Sequence, residues 1–365
     1  MIKQFDSIKD IDQKLWDSLN TSNNPFTSYS FFLALEVSES IGNKSGWLPK
    51  YFLSDKCASY IFIKSHSYGE YIFDWSWAQA YETHGINYYP KLTSMAPFSP
   101  VSVPHFLGQF DQDILDATHS FYEKYNFTSI HYLFLEDNEL KRFKDNNYPI
   151  RESFQYYFKN NNYSSFDDLL KELKSKKKKQ ILKERSISKD VKISLFTNEE
   201  LNIDQAKRMF SFYQNTIAHK GSIQYLTEDF FIQLFKHLKS SILYIEASLN
   251  DTPVAGSLFL YSENKLFGRY WGCNTQIKNL HFELCYYRGI DFCISNKINN
   301  FEAGAQGEHK IKRGFRPTKV YSAHKIKDPN FHVAIQRYID QETQMNRNNI
   351  DFLKSLLPFK SDQES

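Results

Sequence analysis

The sequence predicts an α/β (α+β) protein of two domains, each a mixed, largely antiparallel sheet flanked by helices. Three observations lead there. At 365 residues the chain exceeds what one hydrophobic core ordinarily serves, so two domains are expected. Short apolar and aromatic runs alternate with stretches of helical periodicity along the whole length, the pattern of layered α/β units. Aromatics make up 17% of the chain, with 32 Phe and 24 Tyr, so either half has the bulk to fill a core that a disordered chain lacks.

The elements follow in chain order. A short strand opens the chain, and IDQKLWDSLN reads as a helix with Asp10 as its cap. A helix is expected over SFFLALEVSES, then strands at YFLSD and ASYIFIKSH. The stretch YIFDWSWAQAYETHGINYYPKLTSMAPFSPV predicts a strand or loop, a helical piece ending at Gly85, and an extended run stopped by prolines. A helix over residues 111–125 and the strand SIHYLFLED complete a first domain of ordinary size, taken as residues 1–160.

The second domain, residues 161–365, opens with FDDLLKELKSKKKKQILKERSISKD, read as one strongly basic helix. KISLF predicts a strand and residues 203–219 a helix. Another helix starts after Thr227, where T-E-D supplies a cap and an acidic first turn. SILYIEASL, VAGSLFLYS and KLFGRYWGC, separated by NDTP and SENK, predict an antiparallel meander. NLHFELCYYRGIDFCISN has helical spacing and feeds the strand NNFEAGA. HVAIQRYIDQETQMNRNNIDFLKSLL reads as a terminal helix.

Composition excludes several classes. The net charge of +3 comes from 45 basic and 42 acidic groups, so the chain is no polycation and any anion site must be local. Cys57, Cys273, Cys285 and Cys293 form no zinc or disulfide spacing, and the histidines, His105, His131, His219 and His309 among them, do not assemble as metal ligands. Sparse unpaired thiols suit a reducing compartment, and neither a signal peptide nor a membrane span is visible, so the expectation is a cytoplasmic protein with no integral membrane segment.

Three segments stand out chemically. FEAGAQGEHKIKRGFRP sets Glu308, His309, Lys310, Lys312 and Arg313 behind close glycines, where a backbone can approach a ligand and side chains can move protons or meet an anion. Its plainer reading is a solvated charged loop. Asp74, Trp75, Trp77, Glu82, His84 and Lys91 crowd a second segment whose aromatic walls and few polar groups suit substrate binding, and its plainer reading is helix packing. In KSKKKKQILKER the charged core from Lys171 to Arg185 carries eight basic and two acidic residues, able to neutralise phosphates of tRNA, coenzyme A or an anionic lipid, though a solvated face is the common outcome for such a run.

The order of elements over residues 241–303 resembles the acyltransferase fold called GNAT, in which a meander leads into a helix whose N-terminus faces an acyl donor. DWSWAQAYETHGINYYPKLTSMAPFSPV, LHFELCYYRGIDFCI and FEAGAQGEHKIKRGFRPT together resemble the Fem-like group of bacterial proteins, over roughly Tyr71 to His324. That resemblance implies tandem GNAT-like domains and transfer of an aminoacyl group from a charged tRNA to an amine on a cell-wall precursor. KRGF is similar to the lysine-x-x-phenylalanine segment of the Fem aminoacyltransferases, which implies a role for Lys312.

Acyl transfer to an amine needs a base for the amine and positive charge for the oxyanion. Glu308 or His309 is expected to take the proton, with Lys310, Lys312 or Arg313 facing the oxyanion or a phosphate. Arg269, in a strand between aromatics, is a further substrate contact. The donor stays open between aminoacyl-tRNA and acyl-coenzyme A, with only Gly272 near the turn where a coenzyme pyrophosphate would sit. The acceptor is a small-molecule or peptide amine. A double-domain protein that binds such a ligand without turnover is the reading from outside enzymology.

Overall fold

The computed structural model describes residues 2–304 and 307–360. Contacts divide the chain into two compact units, Met1–Phe154 with Lys319–Asn348, and Gln155–Thr318 with Asn349–Ser365. Each unit is thus closed by a late segment of the chain, a feature that a linear reading of 1–160 and 161–365 does not contain.

In the first unit the strands lie in the order Lys3–Phe5, Trp47–Leu53, Cys57–Lys64, Lys91–Ser94, Ser129–Leu135 and then the end of Arg316–Ile326, with Phe106–Gly108 beside Cys57–Lys64. Lys91–Ser94 runs parallel to Ser129–Leu135, with Leu92 opposite Ile130, and the neighbouring pairs run antiparallel. The helix Gln112–Lys124 turns Ile114, Leu115, Phe121 and Tyr122 onto this sheet, against Phe52, Ile61 and Leu92. Burial of such side chains contributes roughly 1.5–3 kcal/mol each. The helix Trp75–Thr83 packs Trp77 and Tyr81 with Tyr88, Ile335 and Ile339, the last two on the terminal helix Pro329–Ser355.

In the second unit the order is Ile150–Lys159 from Gln155 onward, Asn300–Glu302, Lys265–Cys273, Thr252–Tyr261, Ile242–Leu249 and Lys192–Thr197. The pairing of Lys265–Phe267 with Asn300–Glu302 is parallel, and those of Asn300–Glu302 with Ile150–Lys159 and along the meander to Lys192–Thr197 are antiparallel. The expected meander, helix and strand are therefore present, in the mixed, largely antiparallel α/β fold that the sequence predicts. At Gly272 a Cβ would stand 1.7 Å from the Phe212 carbonyl oxygen, so glycine here lets the helix Ile203–Lys220 lie directly on the strand. Gly272 serves packing, not a turn.

Three elements differ from the sequence reading. Asp12, not Asp10, caps the first α-helix, its carboxylate accepting from the Leu15 N–H, while Asp10 ends a short 3-10 turn. The basic segment is two helices, Phe166–Glu172 and Ser175–Arg185, because Leu173 is extended and bridges Phe359, a partner far along the chain. The helix over 280–295 contains a π turn at Glu283–Tyr287 between α-helical ends. Among the described residues no helix is long and apolar enough to cross a membrane, and no group of three or more His, Cys, Asp or Glu is placed to hold a metal ion.

Candidate functional site

The segment read first from the sequence folds as a tight turn. Glu302 ends a buried strand, and from Gly307 the chain winds into the 3-10 helix Glu308–Arg313. Ala305 and Gln306 lie outside the described residues. Gly307 and Gly314 flank the turn at φ 106° and 92°, backbone states that side chains with a Cβ rarely adopt. A Cβ at Gly307 would also meet the His309 ring at 2.4 Å, so glycine there leaves room for the imidazole.

The turn separates its charges by depth. Lys310 is buried, and its ammonium donates to the Gly304 carbonyl at 2.9 Å and lies 5.5 Å from the Tyr156 ring. Burial pushes it down to about 8, and among the described residues it has no ion pair. His309 is half-buried with Nε2 2.9 Å from the Tyr286 hydroxyl, and burial followed by the Arg313 and Lys310 charges keeps its imidazole below its ordinary value. Glu308 and Lys312 are both exposed. His309, Lys310 and Arg313 are thus brought together, while Glu308 and Lys312 lie at the rim.

Arg313 does not face open space. It is buried, its Nε and Nη2 donate to the two carboxylate oxygens of Glu184 at 3.0 and 2.9 Å, and Nη1 donates to the His309 carbonyl at 2.7 Å. Glu184 also accepts from the Tyr287 hydroxyl, in the π turn. A bidentate arginine and carboxylate pair fixes geometry, so Glu184 holds the turn that carries His309 against the helix that carries Tyr286. The π turn brings further side chains to the same place. His281 lies with its ring 5.2 Å from Trp271 and 5.3 Å from Tyr286, and burial drives it down to about 3, so it is neutral. Arg269 is half-buried with its guanidinium 5.1 Å from the Tyr270 ring.

The second predicted cluster is a closed network inside the first unit. Asp74, at the start of the helix Trp75–Thr83, accepts from Lys91 and Ser67, each at 2.5 Å, and from Tyr88. Lys91 donates as well to Glu70 at 2.8 Å and to Ser67 at 2.9 Å. From Tyr88 the chain of hydrogen bonds continues to His131 at 3.1 Å, to His324 at 2.7 Å and to Ser322 at 2.8 Å. Each of these groups is buried. Burial alone would raise Asp74, but the Lys91 charge, His131 and the bonds from Lys91 and Ser67 hold it far below the carboxylate range. For Lys91 burial is likewise outweighed, by Asp74 and Glu70, and it is raised. Burial takes His131 down to about 3 and His324 well below its ordinary value.

Trp77 joins this network by packing, 4.9 Å from His324 and 5.3 Å beneath the Arg151 guanidinium. Trp75 is exposed and stacks on Phe73, and Glu82 and His84 are exposed at the far end of the helix. Those three are not part of the buried cluster. The sequence reading missed Glu70, Ser67, His324, Glu184, His281 and Tyr286. Periodicity showed Glu184 only as one of two acids in a basic run and gave no sign that it turns inward.

The sequence matches the model of a FemAB-like family, described as peptidoglycan biosynthesis/recognition, over residues 7–361. Solved structures with the same fold include FemX, at 8% identity with 92% of this chain and 100% of that one covered and a TM-score of 0.55. A conserved protein of unknown function from Bacteroides thetaiotaomicron is 13% identical over 89% of this chain and 100% of that one, with a TM-score of 0.54. The structure called L-PGS from Bacillus licheniformis is 10% identical over 85% and 96%, with a TM-score of 0.51. At these identities the likeness is one of fold. No curated protein matches the chain.

Proposed function

The chain belongs to the FemAB-like family, and from that premise we propose that it is an N-acyltransferase moving an aminoacyl or acyl group onto an amine, with residues 307–315 as a wall of the reaction site. One observation carries the reading. Lys310, a buried ammonium with no carboxylate partner among the described residues, adjoins the neutral His309 on one turn of helix. A structural lysine is ordinarily paired or snorkels to water, and this one does neither.

The roles follow from what each group can do. In the tautomer that donates Nε2–H to the Tyr286 oxygen, His309 keeps a lone pair on Nδ1 to take a proton from the attacking amine. The amine nitrogen bonds to the acyl carbon, and the carbonyl oxygen gathers negative charge that the Lys310 ammonium stabilises. Collapse breaks the bond to the leaving oxygen or sulfur, and the proton held by His309 is returned to it. Arg313, engaged by Glu184, positions the turn and does not meet the oxyanion. The exposed Lys312 and Glu308 act at the rim, on charged parts of donor or acceptor. Among Fem-type acceptors a cell-wall precursor or small peptide fits this class.

The test is transfer by the full chain from labelled aminoacyl-tRNA and, separately, from acyl-coenzyme A, to a panel of amines. His309→Ala is expected to slow single turnover by about 10²-fold, within the range of a lost general base. Product from one donor alone identifies it. Ligand binding without product from either, or undiminished turnover in both His309→Ala and Lys310→Met, overturns the reading.

A further inference from the structure

The helix Ser175–Arg185 serves that site through Glu184, which holds Arg313, but its lysines take no part in it. Among the described residues Lys176, Lys177, Lys178, Lys179 and Lys183 form no ion pair, and the carboxylates nearby are taken, Glu184 by Arg313 and Glu283 and Asp291 by Arg185. Lys177 is held below its ordinary value by partial burial and then by Lys312, Lys176 and Arg313, the signature of crowded positive charge. Ile181 and Glu184 turn inward, which leaves Lys176, Lys179, Leu182 and Lys183 exposed, with Leu182 48% accessible.

The start of this helix is tied to the C-terminal segment of the same unit. The Lys174 N–H donates to the Pro358 carbonyl at 2.9 Å, Leu173 bridges Phe359, and the Lys360 N–H donates to the Glu172 carbonyl at 2.9 Å. That segment exposes Phe352 at 62% and Leu356 at 46%, four residues apart and therefore on one side of the closing helical turn, with Lys354 and Lys360 exposed beside them. Lys354 pairs with the exposed Asp351 at 3.9 Å, which leaves the unpaired positive charge of this surface to the lysines of the helix Ser175–Arg185, and large apolar groups left in water beside them need an explanation.

We propose that this face docks the protein on an anionic lipid bilayer, with Leu182, Phe352 and Leu356 entering the headgroup region and the lysines meeting lipid phosphates. The two halves of the surface fit the two halves of such a ligand, apolar groups toward acyl chains and ammonium groups toward negative charge. RNA fits less well. It would use the lysines, but Lys176 to Lys183 carries no interleaved aromatic on which bases could stack, and Leu182 and Leu356 would stay in water. The proposal does not depend on the transfer reading, since docking is measured without any substrate.

The experiment is co-sedimentation of the full chain with vesicles of phosphatidylglycerol and phosphatidylcholine in equal parts, beside pure phosphatidylcholine and beside a tRNA-sized RNA. Binding to the mixed vesicles alone, weakening as salt rises, is expected. At about fivefold per lysine, Lys176→Glu with Lys179→Glu and Lys183→Glu should weaken it by about 100-fold or more. Phe352→Ser with Leu356→Ser should weaken it by about tenfold at fixed charge, through lost apolar insertion. Protein left in the supernatant with mixed vesicles, equal binding to both vesicle types, or binding to RNA alone overturns the proposal. So does vesicle binding that neither set of substitutions changes, with circular dichroism confirming that the variants fold.

Discussion

Both units bury lysine, and they do so in opposite ways. In the first, Lys91 meets two carboxylates, Asp74 and Glu70, and the histidines beyond them stay neutral, so the network closes on itself. In the second, Lys310 meets, among the described residues, a backbone carbonyl and an aromatic ring and no carboxylate, and its ammonium is weakened by burial. A buried charge with full partners holds a structure together, while one without them is poised to answer charge that arrives with a ligand. The contrast gives Asp74 and Lys91 the geometry of a scaffold, and on the proposed reading it leaves the chemistry to His309 and Lys310.

The largest expected effect breaks the first half of that contrast. Lys91→Met leaves Asp74 and Glu70 buried beside each other without their cation, and removal of one partner from such a cluster costs about 3–5 kcal/mol. Urea unfolding should show a loss of this size. A loss under about 1 kcal/mol would mean that water or rearrangement reaches the carboxylates, and the scaffold assignment would fail.

Lys310→Met sharpens the second half. No carboxylate is orphaned, so the stability change should stay within about 1 kcal/mol, while the transfer rate should fall by about 10²-fold if the ammonium serves the oxyanion. The two substitutions therefore separate the sites by which observable moves. A Lys310→Met variant that unfolds like Lys91→Met while its residual folded fraction transfers normally would make both lysines structural.

The fold was largely legible because local pattern decides it. The meander from Ile242 to Cys273 alternates and turns where the sequence says, and the strand Asn300–Glu302 follows its helix as expected. The breaks came where distant residues intervene, as at Leu173, whose partner Phe359 lies far along the chain. The site was half legible. Glycines around a mixed-charge run marked Glu308, His309, Lys310, Lys312 and Arg313 together, yet nothing local tells that Arg313 is engaged by Glu184 or that Glu308 and Lys312 are left outside. His324 joins His131 only because their strands pair antiparallel, register that one strand's residues do not encode.

The smallest effect asks whether an under-partnered lysine in the first unit behaves like Lys310. Lys64 lies buried with its nitrogen 3.4 Å from the Trp47 ring centroid and 3.8 Å from Glu70, and burial, opposed in part by Glu70, pushes it down to about 6. The folded chain therefore lacks a proton that the unfolded chain still holds up to the ordinary value of 10.5. Where the unfolded state binds more protons, stability rises with pH, so Lys64 makes the protein gain stability from about 6 toward 10.5, and Lys310 adds to the rise from about 8. His131 gives the same sign at lower pH, with stability falling on acidification from 6.5 toward about 3. Lys64→Met should flatten the slope above pH 6, leave the acid limb in place, and change stability at neutral pH by about 1 kcal/mol or less, in the favourable direction. Urea midpoints collected across that range decide it, because a slope unchanged in Lys64→Met would mean that Glu70 keeps Lys64 protonated and that the first unit holds no amine of the kind found at Lys310.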